Sequence, residues 1–430
     1  MPARELTALS LIVLGAAYAA AQRPDWRSEP PIIYVLDYGG NHVDDPEFIA
    51  AVATAPPDLL HLGKDVPFTH NWGPIRALGG ENQAYGKGDN IRRLSPAEVR
   101  DRIERLRAMV RRLHEVGVRM VMPYVCSMTM GGDDRARTGF FEFYDHWDEY
   151  AEFHLGPRPP ADPIEWMQRR PDGSLQKFYK YTGPFYPPYE PNQRYACCVN
   201  NPNWRAWLEN VVRWVARCGY DGTFVDNSGS QRCYCRYCQE KFDDYLARRY
   251  TAAQRREYLG SDDPGEVNLA EASDTLLWAE TQRFWKVSLH DHQVALRKAG
   301  REINPDFKVF ANGGHHRPED VKLVYRDSDY VMFEKSVGDV GTHPGVAETD
   351  IVAGMSRRHF NDNIYEYKLT QCWQQRDKAI VLCRAGYPRT RDRLRPNVNT
   401  AQLGIAESAA FGSGAGYLFR PDYDTFGEVM

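Results

Sequence analysis

The stretch Gly219-Tyr-Asp-Gly-Thr-Phe-Val-Asp-Asn227 determines how the rest of the chain is interpreted. Its Thr-Phe-Val segment is a short run of β-favouring residues after an Asp-Gly pair, so it predicts a buried strand. Asp226 and Asn227 follow at the carboxyl end of this strand, where parallel α/β proteins bind their ligands. The alternative for Asp226 is a cap on the loop or on the next helix.

Strand-like apolar runs alternate with helix-like segments on both sides of this stretch. With the central strand they make eight, the number that a (β/α)8 TIM barrel needs. A doubly wound open sheet gives a similar alternation, but no Gly-x-Gly-x-x-Gly follows the first strand and no P-loop is present. We therefore predict an α/β protein with a (β/α)8 TIM barrel. The other seven runs are 32–36, 59–62, 118–124, 307–311, 330–333, 379–383 and 416–419.

Several helices are indicated by their start signals and by apolar residues at helical spacing. The capping box Ser95-Pro-Ala-Glu98 opens a helix that runs to Gly117, and Asn201-Pro-Asn-Trp204 opens another. Further helices are predicted at 239–250, 274–300, 349–371 and 401–411.

The two ends of the domain organisation are predicted from composition. An apolar run at 6–21, preceded by Arg4 and ending in small residues, favours a signal peptide over residues 1–21, and 22–31 is a polar linker. The catalytic barrel then covers 32–430, with a long loop-like insertion at about 126–200. We therefore expect a secreted or periplasmic protein without a membrane span.

Charge and aromatic content narrow the class of partner. The 430-residue chain has a net charge of -4, which does not indicate nucleic acid or an anionic membrane surface. It contains 25 Tyr, 18 Phe and 10 Trp, many of them in loop-like sequence. Aromatic loops suit the apolar faces of sugar rings, so a carbohydrate is the expected partner.

The predicted strand ends bring two carboxylates to one cavity. Hydrolysis of a glycosidic bond needs one carboxyl group to protonate the leaving oxygen and another to attack the anomeric carbon or activate water. Asp226 is the candidate nucleophile and Glu334 the candidate acid/base, although Glu334 can instead pair with Lys335, and Asp37 can replace either acid. The candidate substrate-binding residues are Asp37, His70, Trp72, Tyr124, Asn227, Asn312, His315, His316 and Arg384.

The cysteines form the sharpest motif in the sequence. Cys233, Cys235 and Cys238 offer three thiolates in the loop after the central strand, and Cys197 or Cys198 can complete a tetrahedral zinc site, with Cys198 our choice. A closed site of four thiolates has no open position for water, so this zinc would be structural. The alternatives are reduced thiols without metal, or disulfides in an exported protein.

At these residues the sequence resembles glycoside hydrolases of the β-galactosidase family 42 type. The shared pattern is Val225-Asp-Asn227, Cys233-Tyr-Cys-Arg-Tyr-Cys238, Phe242 and Tyr245-Leu246, and the resemblance implies the zinc site. Family 42 has a catalytic Glu after the Asn, whereas this chain has Ser228, so that acid cannot be carried over. The pattern from Gly219 to Asp226 looks more like α-galactosidases and α-fucosidases, which implies a nucleophilic Asp on strand four, an acid on strand six and an α-linked substrate.

These observations predict a glycoside hydrolase that acts on oligo- or polysaccharides, with a retaining mechanism preferred. One alternative is a carbohydrate-binding barrel without activity, in which Ser228 reflects lost chemistry. The other is a metal-dependent hydrolase, against which the thiolate-rich cluster argues.

Overall fold

The computed structural model describes most of the central part of the chain. The signal peptide predicted at 1–21, the linker at 22–31 and the helix expected at 349–371 lie outside the described residues. The described ranges are 34–38, 46–62, 66–75, 92–179, 192–229, 231–271, 275–314, 323–335, 379–383 and 414–419, with Gln402, Ala406 and Ala410.

Eight parallel strands form the main sheet. Strands that follow one another in the chain, among these eight, lie side by side in the sheet. The last strand pairs with the first, with Tyr34 opposite Ala415, so the sheet closes on itself. All strand carboxyl ends therefore point to the same rim. The strands are β1 (Tyr34–Tyr38), β2 (Leu59–Leu62), β3 (Met120–Cys126), β8 (Gly222–Asp226), β9 (Lys308–Gly314), β10 (Tyr330–Lys335), β11 (Ala379–Cys383) and β12 (Gly414–Phe419).

All eight predicted strands are present, with shifts at their ends. β2 and β11 have the predicted bounds, whereas β3 begins two residues later than expected. The reason for that shift is local, because the Val118 amide donates to the Leu113 carbonyl at 3.0 Å and so belongs to the turn that ends the preceding helix. Strand propensity alone does not reveal this competition.

Seven α-helices are described. The helix predicted from Ser95 is confirmed, since Ser95 and Glu98 form both hydrogen bonds of a capping box, and Asn201 caps the helix that begins at Pro202. Crossover segments after β10 lie largely outside the described residues, so an α/β fold is confirmed while a complete set of eight helices stays a prediction. The helices are α1 (Pro46–Thr54), α2 (Pro96–Glu115), α3 (Phe140–Asp145), α4 (Pro202–Arg217), α5 (Arg236–Arg249), α6 (Ala252–Leu259) and α7 (Thr275–Arg301).

The insertion between β3 and α4 is more ordered than the sequence suggested. Instead of one long loop it contains a second, antiparallel sheet, which we call the inserted sheet, together with α3 and two short 3-10 helices at 147–153 and 163–166. Aromatic side chains of the insertion, such as Phe143 and Trp147, pack on Trp207 of α4. The inserted sheet has the order β5 (Thr138–Gly139), β4 (Thr129–Asp133), β7 (Gln193–Ala196) and β6 (Lys177–Tyr179).

The interior of the closed sheet is filled by one hydrophobic cluster. It takes residues from six neighbouring strands, including Phe224 of β8, Phe310 of β9 and Met332 of β10. Side chains alternate along a strand, so the residues two positions beyond these lie on the same face and nearer the rim. In the described part of the chain, no helix combines the length and apolar character needed to cross a membrane.

Candidate functional site

Asp226 ends β8 and accepts hydrogen bonds on both carboxylate oxygens. Asn312 Nδ2 donates to Oδ1 at 2.5 Å, and Asn227 Nδ2 donates to Oδ2 at 2.7 Å. The Tyr124 hydroxyl also donates to Oδ2. Three donors fix the orientation of the carboxylate and stabilise its charge. The structure thus brings together four residues that the sequence predicted for one site.

Tyr124 is the partner of Asp226 that comes from β3. Burial, followed by the negative charge of Asp226, raises the pKa of Tyr124 well above the ordinary tyrosine value. The His70 ring stacks on its face, with ring centroids 4.8 Å apart and an interplanar angle of 7°. The Tyr124 hydroxyl therefore keeps its proton and acts as a donor to Asp226.

Asn227 reaches back to Asp226 because the backbone turns sharply after β8. Its φ is 53°, in the left-handed region that asparagine tolerates better than most residues. This turn directs the Asn227 amide to Asp226 and to the Tyr124 hydroxyl, which lies 3.0 Å from Nδ2. The predicted polar pair at the strand end is therefore one hydrogen-bonded unit.

Ser228 has a packing role. It is buried, and its hydroxyl donates to the Asn312 carbonyl at 3.0 Å and lies 3.0 Å from the Tyr325 hydroxyl. It joins β8 to β9. A carboxylate at this position would have to displace these contacts.

Trp72 is buried. The sequence suggested a loop aromatic that contacts substrate, but Trp72 is 2% exposed and its indole occupies the space beside Gly131. The structure therefore supports a packing role for Trp72. His70 is also buried, but it borders the site through Tyr124.

Five predicted residues have no described side chain. Asp37 stands near the end of β1, opposite His61, and Glu334 stands near the end of β10, opposite Leu382. Only their backbone positions are described. His315, His316 and Arg384 lie outside the described residues.

Arg194 is a site residue that sequence reasoning missed. It lies on β7 of the inserted sheet, is 7% exposed, and its guanidinium sits over the Phe178 ring at 5.2 Å. Its Nη2 is 3.6 Å from Cys126 Sγ, and Cys126 is the strand partner of Asp226. Nothing in the sequence marked Arg194, because the insertion lacked a strand pattern long enough to interpret.

The four predicted sulfur ligands form a second cluster. The Sγ atoms of Cys198, Cys233, Cys235 and Cys238 all lie within 4.8 Å of one another, and Cys198 Sγ is 3.5 Å from Cys238 Sγ. Sulfurs bound tetrahedrally at about 2.3 Å from a metal lie roughly 3.8 Å apart. The four sulfurs therefore fit one metal ion. The described cysteines are free thiols.

The surroundings of these sulfurs also suit a metal site. Gln231 Nε2 lies 3.4 Å from the sulfurs of both Cys198 and Cys238, and Asn200 Nδ2 lies 3.3 Å from Cys238 Sγ. Burial raises the pKa of Cys198, whereas hydrogen bonds from its cysteine neighbours lower that of Cys235. Amide donors of this kind stabilise the negative charge that bound thiolates retain.

Cys197 belongs to a different part of the molecule. Its side chain is buried in the large core cluster, with Trp166 and Trp204, while that of Cys198 joins the sulfur cluster. Neighbouring residues of an extended segment point to opposite sides. The choice of Cys198 as the fourth sulfur is consistent with this geometry.

Comparison with solved structures shows which proteins share the fold. The β-galactosidase from the haloarchaeon Halorubrum lacusprofundi is 18% identical, with a TM-score of 0.56 over 90% of this chain and 52% of that one. The β-galactosidase from Marinomonas ef1 is 11% identical, with a TM-score of 0.56 over 90% and 54%. A GH42 β-galactosidase from G. stearothermophilus is 14% identical, with a TM-score of 0.54 over 91% and 51%.

The chain thus spans about half the length of these proteins. No protein-family model and no curated protein matches its sequence. At these identities the similarity is one of fold, and it agrees with the resemblance to family 42 that the cysteine motif indicated.

Proposed function

We propose that this chain is a secreted or periplasmic (β/α)8 glycoside hydrolase that cleaves glycosidic bonds in oligo- or polysaccharides with two carboxylates. The observation that carries the proposal is Asp226, an oriented carboxylate at the rim of a closed parallel sheet. This rim is the usual place for active sites in such sheets. The shared fold with β-galactosidases supports the same class of reaction.

Asp226 acts as the nucleophile in this proposal. Its donors stabilise the charged form, which suits attack on the anomeric carbon and disfavours donation of a proton to the leaving oxygen. Asn312 is the sole described donor to Oδ1, whereas Oδ2 accepts from both Tyr124 and Asn227. Oδ1 therefore has more freedom to attack.

Glu334 acts as the acid/base. Strand alternation supports this role, because Glu334 is two residues beyond Met332, which belongs to the interior cluster. Asp226 follows Phe224 by the same interval, and Asp37 follows Val35 likewise. Asp37 is accordingly the third acid at this level, suited to bind a sugar hydroxyl. We expect retention of configuration and favour an α-linked substrate.

A structural zinc ion completes the proposal. Cys198, Cys233, Cys235 and Cys238 would hold it, since a buried set of four sulfurs is a donor set that zinc prefers. The ion would fasten the loop after β8 and leave the chemistry to carboxylates.

Turnover of aryl α- and β-glycosides tests this function. We expect Asp226→Asn to lower kcat by about a thousandfold or more, because the nucleophile is lost. Azide added to Asp226→Ala should restore turnover and give a glycosyl azide of inverted configuration. Asp221→Asn is the matched control, since Asp221 immediately precedes β8, at the end opposite Asp226, and accepts from the Val121 amide at 2.8 Å.

A carbohydrate-binding barrel without activity is the second candidate, and Ser228 favours it because a buried packing residue stands where family 42 has its acid. In that case the wild-type protein shows no turnover on any aryl glycoside. Calorimetry with the same sugars would then detect binding that Asp226→Asn leaves largely intact.

A further inference from the structure

Arg194 brings a positive charge from the inserted sheet to the end of β3. The side chain is almost fully buried, with its Nη2 3.6 Å from Cys126 Sγ and its guanidinium 5.2 Å from the centre of the Phe178 ring. Burial of a guanidinium is costly unless opposite charge lies close by. Cys126 Sγ is the contact that links Arg194 to the barrel rim.

The nearest strand end beyond Cys126 carries the candidate nucleophile. Cys126 and Asp226 are paired across β3 and β8, and the Ser127 amide donates to the Asp226 carbonyl at 2.9 Å. Asn227 Nδ2 lies 3.9 Å from Cys126 Sγ and 2.7 Å from Asp226 Oδ2. Arg194 is thus one side chain away from the hydrogen-bonded unit around Asp226.

The two charges act on the same groups with opposite sign. Around Tyr124, the charge of Asp226 raises the phenol pKa and the charge of Arg194 lowers it. The same opposition holds for the Cys126 thiol. Arg194 and Asp226 therefore both lie close enough to Tyr124 and Cys126 for their charges to act on these two groups.

We propose that Arg194 is a positioning residue for the reaction at Asp226, whose carboxylate it orients through the Cys126–Asn227 side of the site. The inference rests on the proposed function. It makes the inserted sheet part of the catalytic apparatus, since β7 supplies a charge that none of the described barrel strands provides at this position. Arg194 contacts no reacting atom and acts through Asp226.

Kinetics of Arg194→Ala, Arg194→Lys and wild type on the best aryl glycoside provide the first test. We expect Arg194→Ala to lower kcat about ten- to a hundredfold with KM changed less than about threefold, and Arg194→Lys to keep most of the activity. Millimolar guanidinium should restore turnover of Arg194→Ala by about tenfold. Lys177→Ala on neighbouring β6 is the control and should match wild type.

A loss of kcat that neither Arg194→Lys nor added guanidinium relieves would assign Arg194 to folding alone and overturn the proposal. A change confined to KM would overturn it as well, because Arg194 would then bind substrate.

A double-mutant cycle on urea unfolding gives a test that needs no turnover. Arg194→Ala should lower the unfolding midpoint clearly in wild type and much less in the Asp226→Asn background. If the two substitutions change the unfolding midpoint additively and the wild type is active, the role of Arg194 is rejected and the proposal of a glycoside hydrolase stands. Coupled effects with an inactive wild type would reject the hydrolase and keep Arg194 as the charge partner of Asp226.

Discussion

Two polar clusters lie at and beyond the carboxyl end of β8, and they differ in whether their charged atoms are accessible to a ligand. Around Asp226, three donors converge on one carboxylate that is only partly buried. In the cysteine cluster, sulfurs converge on one another and amide donors close the outside. The first arrangement presents an oriented charge to a ligand, whereas the second encloses one. The same loop thus carries a site suited to chemistry beside one suited to bracing.

Removal of one sulfur should have a large effect on the cysteine cluster. We expect Cys198→Ser to abolish binding of one zinc per chain and to lower the free energy of unfolding by about 3 kcal/mol or more, because metal binding is coupled to folding. Inductively coupled plasma mass spectrometry and urea denaturation measure the two effects.

Cys197→Ser is the matched control for that experiment, since Cys197 is equally buried but packs in the large core cluster. It should retain zinc and lose only about 1–2 kcal/mol, the usual cost of a buried hydroxyl. Equal zinc content in both variants would show that the cysteines form no metal site.

A smaller effect is expected when the Asp226 carboxylate is kept and only one of the donors that orient it is removed. We expect Tyr124→Phe to lower kcat about ten- to a hundredfold at nearly unchanged KM, because one donor to the proposed nucleophile is lost. Steady-state kinetics measure it. In the control Tyr195→Phe, a tyrosine that donates to Asp134 at 2.6 Å within the inserted sheet is changed in the same way, and kcat should stay within about twofold. A larger fall in the control would indicate that the inserted sheet as a whole had shifted.

A further effect concerns the dependence of stability on pH, in two histidines of α7. Burial lowers the pKa of His292 from 6.5 to about 3. Its contribution to the free energy of unfolding is therefore complete above pH 6.5 and is lost as pH falls toward 3. We expect His292→Phe to remove an acid destabilisation of up to about 1.4 kcal/mol per pH unit in that interval. Urea denaturation between pH 4 and 7.5 measures it.

His290 should give stability the opposite dependence on pH. Asp291 and then Asp327 raise the pKa of His290, so its contribution is present below pH 6.5 and is lost as pH rises through the higher folded value. His290→Gln should therefore weaken the protein more at pH 5.5 than at pH 8. Parallel curves for wild type and both variants would contradict the assignment of these shifts.

Short-range patterns were enough to predict the strand at Asp226 and the sulfur cluster. The Asp-Asn pair ends a β-favouring run, and Cys233, Cys235 and Cys238 lie so close in sequence that any loop brings them together. Arg194 could not be predicted, because it reaches Cys126 only through the antiparallel pairing of β4 with β7.

The burial of Trp72 and the directions in which the side chains of Cys197 and Cys198 point could not be predicted from the sequence either. Trp72 lies in loop-like sequence, where an exposed aromatic side chain is expected. Only its close contact with Gly131 in the structure reveals that it is packed. Cys197 and Cys198 are chemically identical neighbours, and the choice between them depends on which side of an extended segment faces the loop after β8.

The contact between Trp72 and Gly131 has a consequence for how the site meets a ligand. A side chain at Gly131 would place its Cβ 1.8 Å from Trp72 Cε2, so the indole is seated on bare backbone of the inserted sheet. His70, two residues earlier, stacks on the face of Tyr124. In the proposed reaction, this packing would place the Tyr124 donor to Asp226 before the substrate binds, so that little reorganisation is needed.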